Sequence, residues 1–192
     1  MTIPAIVPTE AETRSRFARI VADSLRIDPA RVSSDARLDE LGAESIDLVE
    51  IALEVENAFT ILMPERTILD VARDVLGEDV VVRDGVLTDG GHRLLRLRLP
   101  EVDPAAIAPG TPLDEVNRLF LRVDVWLRLI AGIVARSPRV CEACGAGLVQ
   151  GPPARVKCPA CGEEYVLPAG DDLNREWVRS IAAQLGPPGD AA

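Results

Sequence analysis

Apolar residues recur at helical spacing through most of the first eighty positions. Phe17, Ile20, Val21 and Leu25 fall on one face of a helix. Thr9 and Glu12 are spaced to open that helix with a capping box, and Asp28-Pro29 breaks it. Val32, Leu38 and Leu41 then stand alone, as anchors that pin a long connection onto a core. The pattern predicts a second helix from about Ser45 to Ala58, with Leu48, Ile51, Ala52, Val55 and Phe59 facing inward. A short helix from about Thr67 to Leu76 puts Ile68, Val71, Ala72 and Val75 on one face, and Gly77 stops it.

The pattern changes after residue 78. Val80, Val81 and Val82, followed by Arg83-Asp84-Gly85, read as a short strand and turn. Leu95, Leu97 and Leu99 alternate with Arg96 and Arg98, which is the period of a half-buried strand. With Asp89-Gly90-Gly91 between the runs, a small hairpin is predicted. Pro104, Pro109 and Pro112 mark a loop, and residues 113–121 suit a short helix. Trp126, Leu129, Ile130, Ile133 and Val134 form one stripe of a helix over 124–136, with Asp124 as its N-cap. A last helix at about 172–185 carries Leu173, Trp177, Val178, Ile181 and Leu185 on one face, with Asp171 or Asp172 at its start and Gly186-Pro187-Pro188 at its end.

The expected fold class is therefore mostly α: a helical bundle over 1–78, a mixed extension with a small hairpin and helix over 79–138, and a small Cys-rich module closed by a helix over 139–192. Composition agrees, with 47% of the 192 residues hydrophobic and 27% charged, as in a folded protein. No run approaches the about 20 apolar residues that span a bilayer, so no membrane role is expected. Met1-Thr2-Ile3-Pro4 lacks the basic start and apolar core of a secretory signal, and a cytoplasmic location follows as the expectation. The net charge is −10, and residues 1–78 carry 16 acidic against 8 basic side chains. Such a segment repels phosphate backbones and attracts basic protein surfaces, so nucleic acid is an unsuitable partner.

The second helix carries the main chemical signal. Gly42 permits a tight entry, and Ser45 sits in the first turn, where its hydroxyl can face solvent. Asp47, Glu50 and Glu54 form an outer acidic strip, with Glu56 at the other edge of the apolar face. Carboxylates at one-turn spacing suit docking on basic partner surfaces. A charge run of this kind is also what any solvated helix face carries.

The stretch Leu41-Gly42-Ala43-Glu44-Ser45-Ile46-Asp47-Leu48-Val49-Glu50-Ile51 resembles the acyl carrier protein family. That family has a Leu-Gly-x-Asp-Ser-Leu-Asp signature, a Val-Glu-Leu run, a later Phe, and an Ile-Pro after it. Leu41, Gly42, Ser45, Asp47, Val49, Glu50, Phe59 and Pro64 match, within a resemblance spanning residues 9–77. It implies that a phosphopantetheinyl transferase joins a 4′-phosphopantetheine arm to Ser45 Oγ, making the chain a phosphoprotein. The arm's thiol would hold an acyl group as a thioester for acyl-loading, acyl-transferring or condensing enzymes of fatty-acid, polyketide or specialised-metabolite synthesis. Tethering raises the cargo's effective concentration at each partner. Glu44, Ile46, Asp47, Glu50 and Glu54 are the implied partner contacts. Glu44 replaces the family's Asp and Ile46 its Leu. Only Glu65 and Arg66 separate Pro64 from the next helix, too few for the family's short third helix.

Four cysteines make a second signal. Cys141-Glu142-Ala143-Cys144-Gly145 and Cys158-Pro159-Ala160-Cys161-Gly162 are knuckles 13 residues apart. Each presents two thiolates from a tight turn, and the following Gly lets backbone NH groups face sulfur. Together they offer the four-sulfur tetrahedron that Zn²⁺ prefers, a zinc-ribbon pattern with Gly147, Gly151, Pro152 and Pro153 suited to a hairpin tip. Iron uses the same ligand set, and disulfides are disfavoured in a reducing compartment. With four protein thiolates the metal has no open position, so its role is structural. Only Arg155 and Lys157 lie near the knuckles, against Glu142, Glu163 and Glu164, which favours protein over nucleic acid as the ribbon's partner. Tyr165 and Trp177 read as packing residues.

Other features carry less. His92 reads as an exposed turn residue without a paired nucleophile, and Glu163-Glu164 and Asp171-Asp172 as solvated faces and caps. Arg96 and Arg98 are the solvent side of the expected strand, and the run Arg93, Arg96 and Arg98 is the alternative partner for the acidic helix. With no clustered nucleophile, base and oxyanion donor, the chain is not expected to be an enzyme. A peptidyl carrier with the same arm, and an unmodified scaffold binding through its ribbon, are the competing readings.

Overall fold

The computed structural model describes residues 7–151 and 154–185. The readings placed on Met1–Pro4, on Pro152 and Pro153, and on Gly186-Pro187-Pro188 lie outside the described residues. Among the described residues eight α-helices dominate, with two small antiparallel sheets.

Helix α1 (Glu10–Leu25) opens with the expected capping box: the Thr9 NH donates to Glu12 Oε2 at 2.8 Å, and the Glu12 NH donates to Thr9 Oγ1 at 3.3 Å. Its end is set by Arg26 in the left-handed region, and Pro29–Arg31 forms a single 3₁₀ turn. Helices α2 (Ser45–Phe59) and α3 (Ile68–Leu76, capped by Thr67) lie where the periodicity puts them. No helix lies between Phe59 and Ile68. Thr60 turns left-handed, Met63 NH donates to Glu56 Oε1 at 2.7 Å, and Leu62 bridges Ala169.

The middle of the chain corrects the sequence reading. After one helical turn, α4 (Glu78–Val81), strands β1 (Val82–Arg83) and β2 (Val86–Leu87) pair around Asp84-Gly85, both at positive φ. The Leu95–Leu99 run is not a second strand but part of helix α5 (Asp89–Arg98). Thr88 decides this: its Oγ1 accepts the Gly91 NH at 3.1 Å and caps the helix. Gly90 and Gly91, read as a turn, press onto the carbonyls of Val80 and Val81, where a Cβ would lie 2.4 and 2.1 Å away. Leu94, Leu95 and Leu99 are then buried together and Leu97 points out. His92 is correspondingly a half-buried helix residue, its Nδ1 2.7 Å from the Ile107 carbonyl.

A 3₁₀ turn (Pro104–Ile107) leads to α6 (Leu113–Leu119) and α7 (Val123–Arg136). Arg122, not Asp124, is the N-cap of α7, and Asp124 pairs with it from inside the first turn. The Cys-rich module holds β3 (Val149–Gln150), β4 (Arg155–Lys157) and β5 (Glu164–Val166) in one antiparallel sheet. Helix α8 (Gly170–Leu185) follows, with Asp171 and Asp172 in its first turn rather than before it.

Three cores result. Phe17, Val21, Leu38, Ile51, Val55 and Phe59 are buried with Val123, Ile130, Ile133 and Val134 of α7. Ile68, Leu69 and Ala72 of α3 are buried with Leu94 and Leu95 of α5 and Val178, Ile181 and Leu185 of α8. Leu148, Val156 and Leu167 pack with Cys141 and Cys158 in the module. Arg98, read as the solvent side of a strand, instead donates through Nη2 to Asn174 Oδ1 at 2.7 Å, and Arg93 donates through Nε to the Leu185 carbonyl at 3.0 Å.

Two glycines on helices should respond oppositely to Ala. At Gly170 a Cβ would sit 2.3 Å from Pro64 N and 2.8 Å from Met63 C, both rigid backbone atoms. Gly170→Ala is expected to cost about 1–3 kcal/mol. At the exposed Gly132 of α7 nothing lies within 4 Å of the added carbon. Gly132→Ala is expected to stabilise by about 0.5–1 kcal/mol. Urea unfolding of the two variants beside the parent measures both.

Candidate functional site

Ser45 is exposed at the first turn of α2. The Glu44 NH donates to Asp47 Oδ2 at 2.7 Å, so a carboxylate satisfies a free NH at this helix start and complements its dipole. The loop before it is held at several points. Leu38 NH donates to the Leu121 carbonyl, Val123 NH to Ala36 and Asp124 NH to Ser34, each at 2.9 Å. Leu38 is fully buried, and Arg37 Nε donates to Asp39 Oδ1 at 3.0 Å, which holds the Asp39 carboxyl below its usual range. Gly42, at φ 100°, then turns the chain into Ala43 and Glu44.

Three stripes run down α2 at about 100° per residue. Ile51, Val55 and Phe59 are buried, with Leu48 and Ala52 partly so. Asp47, Glu50 and Glu54 make the acidic strip, with Glu50 and Glu54 exposed and Asp47 partly buried. Sequence reasoning missed the third stripe: Ile46 (71% exposed), Val49 (55%) and Leu53 (54%) form an apolar row open to solvent. The signal was present, since positions 46, 49 and 53 share one face and fall off the buried stripe. Ser45 and Glu44 sit at the head of this mixed surface.

Beside α2 lies a cavity of about 350 Å³. Leu48 and Ala52 of α2, the Met63–Thr67 loop, and Val125, Trp126 and Leu129 of α7 supply much of its wall. Arg98, Arg128 and Asn174 add polar groups to it.

The four cysteine sulfurs come together within 4.8 Å of one another. Cys141 and Cys161 are 3.5 Å apart, as are Cys144 and Cys158, and Cys144 and Cys161 are 3.7 Å apart. Four thiolates about 2.3 Å from a common Zn²⁺ would be about 3.8 Å apart, so the set fits a metal ion. Gly145 and Gly162 close the knuckles at φ 73° and 83°. The Tyr165 hydroxyl donates to Cys141 Sγ at 3.4 Å. That bond, helped by the Cys144 and Ala143 NH groups and opposed by desolvation, brings the Cys141 thiol down to about 6, while hydrogen bonds from the neighbouring thiols push Cys144 up and Cys161 up to about 12. The module is joined to the bundle: buried Arg139 donates to the Phe59 carbonyl at the end of α2, at 3.2 Å.

No described helix is long and apolar enough to cross a membrane.

The phosphopantetheine attachment site family matches residues 15–80. An acyl carrier protein of Amoebophilus asiaticus is 41% identical over 56 residues, 29% of this chain and 70% of that protein. One of Chlorobium luteolum is 33% identical over 58 residues, 30% of this chain and 74% of that protein. A non-reducing polyketide synthase, dbaI, of Emericella nidulans is 33% identical over 64 residues, 33% of this chain but 2% of that protein. No solved structure matches. With relatives at this identity covered over more than two thirds of their length, the chain belongs to the acyl carrier protein family.

Proposed function

We propose that the protein carries an acyl group as a thioester on a 4′-phosphopantetheine arm joined to Ser45 Oγ. The observation that carries this reading is the exposed Ser45 at the head of α2, inside the stretch matched by the phosphopantetheine attachment site family. Attachment leaves a phosphodiester at a helix N-terminus, where the dipole favours negative charge. The chain does no bond chemistry of its own. A phosphopantetheinyl transferase installs the arm, and loading, transferring or condensing enzymes act on the cargo. They would recognise the Ile46–Val49–Leu53 row, flanked by Glu44, Asp47, Glu50 and Glu54. Charge would steer the encounter and the apolar row would hold the docked state. Likeness to part of a polyketide synthase supports polyketide or related synthesis as the setting.

Zn²⁺ held by Cys141, Cys144, Cys158 and Cys161 would be structural, since all four positions are filled by protein. The ribbon buries few apolar side chains of its own, so the metal's binding energy would supply much of its folding energy.

Intact mass after co-expression with a broad-specificity phosphopantetheinyl transferase tests the carrier reading. A gain of one phosphopantetheine is expected, and none in Ser45→Ala. That variant should stay within about 0.5 kcal/mol of the parent in stability, because the hydroxyl is exposed. A folded parent that gains no mass would point to an unmodified scaffold. For the metal, elemental analysis is expected to find one zinc per chain and to lose it in Cys158→Ser. A strong chelator should melt the β3–β5 sheet and leave helical circular dichroism largely intact. Retention of the sheet without metal would count against the structural role.

A further inference from the structure

About half of the wall of the cavity beside α2 comes from residues outside the family match. Of its lining, Arg98, Leu99, Phe120, Leu121, Val125, Trp126, Arg128, Leu129 and Asn174 all come after residue 80. Only α2, the Met63–Thr67 loop and the start of α3 are contributed from within it.

The cavity is polarised. Its α2 side is Leu48 and Ala52, three and seven residues beyond Ser45, hence about 4.5 and 10.5 Å further along the helix axis. Away from α2, Arg98, Arg128, Leu129 and Asn174 also line a neighbouring cavity of about 140 Å³. The wall thus joins apolar groups of α2 to guanidinium and amide groups at the boundary with the second cavity.

Its charge runs against that of the chain. In a protein of net charge −10, the wall holds Arg66, Arg98 and Arg128 against the single carboxylate of Glu65. Arg66 is paired with Asp74, and Arg128 with Glu101, whose second oxygen Oε1 is buried without a partner. Arg98 makes no salt bridge among the described residues. Its Nη2 donates to the buried Asn174 Oδ1 at 2.7 Å, and its guanidinium lies over the Trp177 ring, 5.1 Å from the centroid. Asn174 and Trp177 fix the guanidinium in place, and the Glu101 carboxylate attracts it from beyond salt-bridge distance without closing a pair.

We infer that this cavity takes the far end of a short acyl cargo terminating in a carboxylate, with Arg98 as the residue that selects for that terminus. The inference rests on the carrier reading of Ser45. A volume of about 350 Å³ is at the low end of ligand pockets, about 300–1,000 Å³, and suits a short chain rather than a long one. The methylenes lie against Leu48, Ala52, Val125, Trp126 and Leu129, and the carboxylate accepts from Arg98. The phosphate of the arm is a second anion, but Ser45, where it is attached, does not line the cavity.

The test compares adipyl and hexanoyl groups, which have equal carbon number and differ in the terminal carboxylate. Each is installed on the full-length, metal-loaded protein by the transferase from its coenzyme A thioester, and attachment at Ser45 is confirmed by mass. Cleavage by neutral hydroxylamine is then followed by intact mass, each rate divided by that of the same acyl-pantetheine free in solution. Adipyl is expected to be cleaved about tenfold more slowly than hexanoyl on the parent protein. Arg98→Leu should remove that difference. Ala52→Phe, which fills the α2 side and leaves Arg98 in place, should expose both cargoes equally and keeps the test open if Arg98→Leu fails to fold. Equal protection of the two groups, or none, on a protein modified at Ser45 would overturn the inference while leaving the carrier reading intact. Failure of Ser45 to accept either arm would overturn both.

Discussion

Burial of the apolar face of α7 against α1 and α2 is the contact on which the rest of the structure depends. Ile130, Ile133 and Val134 close a core that otherwise holds Phe17, Val21, Ile51, Val55 and Phe59, and Trp126 stacks on Phe17 with ring centroids 5.6 Å apart. Each such side chain is worth about 1.5–3 kcal/mol on full burial, so the helices of the carrier stretch and α7 stabilise one another. The start of α7 also supplies the backbone groups that hold the loop ahead of Ser45. The position of the serine is thus determined partly by residues some eighty positions later.

The same arrangement explains what stands in place of the family's short third helix. The chain between Phe59 and Ile68 has too few residues to form one, and its exposed backbone is covered instead by the start of α8. Leu62 bridges Ala169, Gly170 packs on Pro64, and the Arg66 NH donates to Asp171. Only a residue without a side chain allows that approach. The cavity beside α2 is consequently walled by α7 and α8, and its chemistry is that of the extension.

The ribbon is attached rather than tethered. Arg139 gives its charge to the carbonyl end of α2, a favourable place for a cation, and desolvation keeps its pKa below the usual guanidinium value. Folding of the metal module and the far end of the carrier helix are linked through this contact. The ends of α2 therefore differ in role: the N-terminal end carries the reactive hydroxyl, and the C-terminal end anchors the ribbon.

Local chemistry was legible in the sequence. Thr9, the Ser45 turn, the α2 periodicity and the two cysteine knuckles act over a few residues, so spacing alone specified them. The sequence misled where tertiary contact overrode a local pattern. Leu95, Leu97 and Leu99 have strand period, but the Thr88 cap and the packing of Gly90 and Gly91 on Val80 and Val81 make a helix, and Arg93 and Arg98 turn toward α8. The Ile46–Val49–Leu53 row went unread, because its exposure depends on which face of α2 the core takes. The cavity and its arginines were beyond sequence reasoning, because residues 48, 66, 98, 128 and 174 meet only once distant helices have packed. Short-range capping, periodicity and ligand spacing are written in neighbouring residues; which surfaces become core, wall or open face is set by burial between segments far apart in the chain.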